Sequence, residues 1–179
     1  MRKQDKSLTL RLDKQHKTKE MKKIICCLLL AMVLTSCDGL MRKLTPRAEG
    51  EVRVGDIIMV DGEMGIVFAV TSDGKHGKVM STSQTKCDWY EAHSWCADCG
   101  YGWRLPSKDE LRVISNNRSL LNSALDDGGY TELGNDHDWY WAAKEEDERC
   151  AWLVRVYYGD IITHGNKLGN YFVRAVSDF

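Results

Sequence analysis

The stretch WRLPSKDEL, residues 103–111, decides how the chain divides. Pro106 lacks a backbone donor and biases Leu105 toward extended backbone, so any strand or loop before it ends here. Ser107-Lys-Asp-Glu110 then reads as a capping box, in which the Ser hydroxyl and the Glu carboxylate each accept from the other's backbone N–H. A helix is predicted to follow through Leu111 and Ile114, to break near Asn116-Asn117, to resume to Leu125 and to stop at the DDGG of residues 126–129.

Working toward the N-terminus, DWYEAHSWCADC (residues 88–99) puts Trp89, Ala92 and Cys96 on one helical face, with Gly100 placed for a left-handed end. Before it, residues 54–81 read as a strand meander with Asp61-Gly62 as a hairpin turn between apolar runs. Toward the C-terminus, residues 139–141, 151–158 and 171–176 are strand-like, with turns at Gly159-Asp160 and Gly165-Asn166. Strands, two helices, then strands with local connections predict an α+β domain with antiparallel sheets.

The first part of the chain follows a different logic. Met21-Lys22-Lys23 is a short basic start, residues 24–33 are an apolar run too short to span a bilayer, and Leu34-Thr35-Ser36-Cys37 reads as a lipobox. Residues 1–36 are therefore expected to be an upstream extension and lipoprotein signal peptide with Met21 as the initiator. Residues 37–52 are expected to be the lipidated Cys37 and a tether, and residues 53–179 the folded domain. Of 25 Lys/Arg and 26 Asp/Glu, nine and three fall within residues 1–36, which leaves the remainder near −7. That charge makes nucleic acid an unsuitable partner.

The ordered motifs WRLPSKDEL, YW with the acidic stretch to Glu146, AW.V.V..G from Ala151 to Gly159, and YFVRAV at residues 171–176 resemble the Fibrobacter major paralogous domain family. That family is also known as the Legionella collagen-like adhesin C-terminal domain. The resemblance covers residues 53–179. It implies a C-type lectin-like fold on a bacterial envelope protein and a recognition role, adhesin-like, with an unknown protein or glycan ligand.

Formylglycine-generating enzymes share a related fold and act through cysteines, but Cys87, Cys96, Cys99 and Cys150 do not stand in stretches like that family's active site. No enzymatic activity is expected. In an exported chain these four cysteines are disulfide candidates. A bond between Cys87 and Cys96 is excluded if both lie in one continuous helix, where nine residues separate them by about 13 Å. Residues 134–138 and 145–148 offer carboxylates to a hard cation, but without a calcium-loop spacing, so no metal or cofactor is expected. His137 and His164 are read as surface residues.

The remaining candidate is the segment CAWLVRVYYGDIITHG, residues 150–165. Period-two alternation places Trp152, Val154 and Val156 on a core face and Leu153, Arg155 and Tyr157 on the other. Aromatic, cationic and apolar groups together are the composition of an interface. The ligand-binding face is accordingly assigned to Tyr140, Lys144, Arg149, Leu153, Arg155, Tyr157, Tyr158, Asp160, His164 and Asn166. Some relatives of the C-type lectin-like fold are targets of diversity-generating retroelements, whose adenine mutagenesis cannot produce Lys, Glu, Gln, Met or Trp from Asn codons. Between Arg149 and Gly165 only Trp152 lies outside the obtainable set. The expectation is a lipid-anchored, cell-envelope binding protein in the outer membrane, exposed at the surface, with this face diversified. A structural or assembly subunit of a surface appendage is the alternative.

Overall fold

The computed structural model describes residues 49–179, apart from the Thr163 side chain. The expected signal peptide, the expected lipobox with Cys37, and the first part of the expected tether lie outside the described residues. Among the described residues nine strands and three helices follow one another. They are β1 (Ile57–Val60), β2 (Glu63–Val70), β3 (Gly77–Ser81), β4 (Thr85–Cys87), α1 (Trp89–Asp98), α2 (Lys108–Asn116), α3 (Arg118–Asp127), β5 (Tyr140–Glu145), β6 (Cys150–Arg155), β7 (Asp160–Asn166), β8 (Tyr171–Val173) and β9 (Val176–Asp178).

The strands form two sheets, ordered β1-β2-β3-β9 and β4-β8-β5-β6-β7. All pairings are antiparallel except β5 with β8, which meet in parallel at Tyr140 and Phe172. This is the α+β, C-type lectin-like arrangement, with mixed rather than purely antiparallel sheets and one more helix than the sequence pattern suggests. The extra helix arises at Asn117, whose φ of −98° and ψ of 5° leave the helical path and separate α2 from α3.

The local signals act as their chemistry requires. The β1–β2 hairpin turns at Asp61 and Gly62, both with positive φ as a type I′ turn needs. Asp88 caps α1 by accepting from the Glu91 N–H at 2.8 Å. Gly100 ends that segment at φ 144°, and a β-carbon there would stand 2.5 Å from the Asp61 carbonyl oxygen, so both backbone angle and space demand glycine. Ser107 and Glu110 form the capping box at the start of α2. Glu110 goes further: its carboxylate accepts from both terminal nitrogens of Arg104 at 2.8 Å and pairs with Lys78 of β3 at 3.0 Å. With the bridge between Arg104 and Val176, WRLPSKDEL ties α2 to β3 and β9.

Two apolar clusters fill the domain, and the middle of β2 and of β6 is buried on both faces between them. Trp89, Ala92 and Cys96 of α1 pack with Val67, Val79, Trp103, Trp141, Leu153 and Val173. Leu111 and Ile114 of α2 and Leu121 and Leu125 of α3 pack with Ile66, Phe68, Met80, Tyr140, Val154 and Val176. Strand β2 shows the alternation, sending Ile66 and Phe68 to one cluster and Val67 to the other. Trp89, Trp103 and Trp141 donate their indole N–H to the carbonyls of Ala142, Val60 and Cys87 at 3.0 to 3.1 Å.

The stretch YFVRAV is not one strand. It crosses from β8 in one sheet to β9 in the other, and at the crossing sits Arg174, only 1% exposed. Its guanidinium donates to the carbonyls of Ser81 and Thr82 at 3.0 and 3.1 Å, to Gln84 Oε1 at 3.1 Å, to the carbonyl of Glu132 at 3.2 Å and to that of Thr131. Desolvation lowers the pKa of this arginine. One buried cation thus fastens the crossing, the β3–β4 connection and the loop after α3. The turn expected at Gly165-Asn166 is also displaced. Gly165 lies inside β7, paired with Ala151 and with Leu153 occupying the space a β-carbon would take, and the chain turns at residues 167–169 instead.

Candidate functional site

Strands β6 and β7 form a hairpin at the side of the five-stranded sheet, with β7 as the edge. Their register pairs Arg155 with Asp160 at the turn and Cys150 with Asn166 at the open end. Six residues of extended chain separate those ends by roughly 17–20 Å. Residues assigned to a single face therefore fall into two places.

At the turn end, rings and guanidinium groups alternate. Arg155 lies over Trp139 at 5.2 Å and over Tyr158 at 4.7 Å, Tyr158 meets Tyr157 edge-on at 4.7 Å, and Arg118 from α3 lies over Tyr157 at 4.4 Å. Arg155 also pairs with the Asp160 carboxylate, and Arg118 donates to the Gly134 carbonyl at 3.1 Å. The Nε atoms of both arginines are buried without a partner. Tyr157 is 44% and Tyr158 57% exposed, and Ile162 on the adjoining strand is exposed too. Edge-on aromatics braced by cations present a large contact area that loses little side-chain entropy on binding. Arg155, Tyr157, Tyr158 and Asp160 are thus brought together.

Two assigned residues do not belong to any surface. Leu153 is fully buried against the α1 cluster, because β6 is an interior strand covered on both sides and its alternation separates two cores rather than core from solvent. Tyr140 is 1% exposed, and its hydroxyl accepts from the Gly134 N–H at 2.8 Å and reaches Gln84 at 3.3 Å. It supports the loop beneath the turn end. Trp152, read as core, is only half-buried, with the ammonium groups of Lys108 and Lys144 over its ring at 4.2 and 4.8 Å. Lys144, Arg149, His164 and Asn166 are all exposed, away from the turn.

The cysteines Cys87, Cys96, Cys99 and Cys150 are free thiols in this structure. Cys87 belongs to β4 and precedes the cap of α1, so the exclusion of a Cys87 to Cys96 bond loses its premise of one continuous helix. Burial pushes the Cys87 and Cys99 thiols up to about 11, and raises that of the fully buried Cys96 further. Such thiols stay protonated at neutral pH and are poor nucleophiles. Among the described residues, no three His, Cys, Asp or Glu side chains are grouped to hold a metal ion. The loop carboxylates are turned inward on their own backbone: Asp138 accepts from the Asn135 N–H, and Asp147 from those of Arg149 and Cys150.

Trp139 and Arg118 were missed by the sequence reading. Trp139 was legible as an aromatic beside a strand; Arg118 was not, because its contact with Tyr157 joins α3 to a turn far along the chain. The family model described as the Lcl C-terminal domain matches residues 58–177. Among solved structures, the Yersinia pseudotuberculosis adhesin InvE is similar at 13% identity and a TM-score of 0.37, the match covering 72% of this chain and 34% of that one. The chain thus spans about a third of that adhesin's length. No curated protein matches the chain.

Proposed function

The chain belongs to the Lcl C-terminal domain family, and on that premise we propose that it is a lipid-anchored protein of the cell envelope, in the outer membrane and surface-exposed. Its adhesin-like domain binds a macromolecular partner through the β6–β7 turn. The observation that carries the contact site is the exposed Tyr157–Tyr158 pair braced by Arg118 and Arg155. Interface anchors are enriched in Tyr, Trp and Arg, and here four such side chains converge on one turn. Anchoring through Cys37 rests on the lipobox alone, and the role is non-enzymatic, a reading supported by the protonated thiols.

The turn is also the part of residues 149–165 that diversification would alter without harming the core. Leu153 drops out of the contact set, leaving Arg155, Tyr157, Tyr158 and Asp160. The test is binding of the full chain to an array of purified extracellular-matrix proteins and envelope polysaccharides, beside the double variant Tyr157→Ser, Tyr158→Ser. A hit lost in the variant with an unchanged melting temperature supports the site, whereas hits that persist undiminished overturn it. Incorporation of a palmitate analogue, abolished by Cys37→Ser, checks the anchor. A reverse-transcriptase gene with an adenine-rich second copy of the segment beside this gene would establish diversification.

A further inference from the structure

The open end of the hairpin holds a cavity of about 400 Å³ that the turn-end reading does not use. Its size lies at the small end of ligand pockets, roughly 300–1,000 Å³, which suits one ring-sized group better than an extended chain. Tyr90 from the first turn of α1 and Leu168 from the turn after β7 form its apolar walls, and both are exposed, at 52% and 74%. Glu148, Arg149 and Asn166 supply its polar rim.

Lys167 fixes this shape. Its ammonium, 3% exposed, donates to Glu145 Oε2 at 2.6 Å and to the Glu148 carbonyl at 3.3 Å, and lies over the Trp89 ring at 4.8 Å. Its backbone carbonyl accepts from the Trp89 N–H, and its own N–H donates to the Arg149 carbonyl. Helix α1, the 146–149 loop and the turn after β7 are thereby held around the cavity, and the lysine's charge is already neutralised by Glu145. The rim groups, by contrast, have free capacity. Among the described residues the Glu148 carboxylate and the Arg149 guanidinium have no side-chain partner, and Asn166 spends only its oxygen, accepting from the Leu168 N–H at 3.0 Å.

We infer that this cavity binds one ring of a neutral sugar, its apolar C–H face against Tyr90 and Leu168 and its hydroxyls on Glu148, Arg149 and Asn166. Charge decides the class. One free carboxylate beside one free guanidinium selects neither anion nor cation, and the neighbouring Glu146 and Asp147 disfavour an anion further. Hydroxyls donate and accept, so adjacent hydroxyls use a carboxylate, a guanidinium and an amide N–H together. The aromatic wall supplies the apolar half of the contact.

Saturation-transfer NMR on the full chain in detergent tests this with methyl glycosides of glucose, galactose, mannose and N-acetylglucosamine, with glucuronate as the acidic probe and choline as the cationic one. Transfer from at least one neutral glycoside is expected, absent in Tyr90→Ala and weakened about tenfold in Arg149→Ala, as the loss of about 1.4 kcal/mol from one contact implies. Tyr157→Ser, Tyr158→Ser should leave it unchanged, so failure here is separable from failure at the turn. Leu168→Ser, at an exposed position, repeats the test should Tyr90→Ala not fold. No transfer from any neutral glycoside, stronger transfer from glucuronate or choline, or transfer indifferent to both Tyr90→Ala and Leu168→Ser would overturn the inference.

Discussion

Arg174 and the pair Arg118 and Arg155 put the same side chain to opposite uses. Among the described residues Arg174 has no carboxylate partner, yet it is almost wholly buried, because five acceptors from two separate segments replace the water it lost. Arg118 and Arg155 rest over partly exposed rings and each keeps a buried Nε unpaired. A buried cation is tolerated only where its donors are nearly all met, and such a site is fixed in geometry and intolerant of change. Cations at the rim of exposed rings need no such completeness. The first region defines the scaffold; the second can vary while the scaffold stands.

If that division is right, Arg174→Met should have the largest effect on stability. It strands the Ser81, Thr82, Thr131 and Glu132 carbonyls and should cost about 3–5 kcal/mol, read as a fall in the urea midpoint. Arg174→Lys should recover only part, because an ammonium cannot span five acceptors on two segments. A cost near zero for Arg174→Met would erase the distinction between the two regions.

The next effect belongs to Glu110, on the scaffold side. Burial raises its pKa, but hydrogen bonds from Arg104, the Ser107 backbone and Lys78 outweigh burial and hold it down at about 2. A folded pKa below the unfolded value of about 4.3 means that this group stabilises the fold above that pH. The contribution, on the order of 2–3 kcal/mol, should be lost as pH falls from about 4.5 toward 2. Glu110→Gln should therefore unfold more easily at pH 7 and show a flatter decline across that acid window. A smaller scaffold effect is expected at Gly165, where a β-carbon would stand 2.6 Å from Leu153 Cδ1 and 2.9 Å from the Ala151 carbonyl oxygen. Gly165→Ala should cost about 1–2 kcal/mol, and Leu153→Val in the same chain should return part of it, as a double-mutant cycle measures.

The same division explains which features the sequence carried. The caps at Asp88 and Ser107, the Asp61-Gly62 turn and the buried stripe of Trp89, Ala92 and Cys96 depend on residues a few positions apart, so spacing alone revealed them. The crossing at Arg174 did not show, because YFVRAV reads as one apolar strand until acceptors from distant segments gather around its arginine. Leu153 misled for a related reason. Alternation tells two faces apart but not whether the second meets water, and α1 covers it here. At the candidate site, Arg155, Tyr157, Tyr158 and Asp160 were legible because the turn that joins them is local. Tyr90, Lys167 and Leu168 were not, because the cavity exists only where α1 packs beside the end of β7.

The smallest effect on stability should come from the turn itself, and it is the one that most sharpens the contrast. Tyr157 and Tyr158 are about half exposed and stack mainly on each other and on arginine, so Tyr157→Ser, Tyr158→Ser removes little burial; a cost below about 1 kcal/mol is expected. The ion pair of Arg155 with Asp160 is partly exposed at both ends, and a double-mutant cycle on it should give a coupling of about 0.2–1 kcal/mol that falls with added salt. A larger, salt-independent coupling would mean that the turn is built into the scaffold after all. Small values at both places would leave a surface whose side chains are nearly free of structural duty, and such a surface can be selected for what it touches.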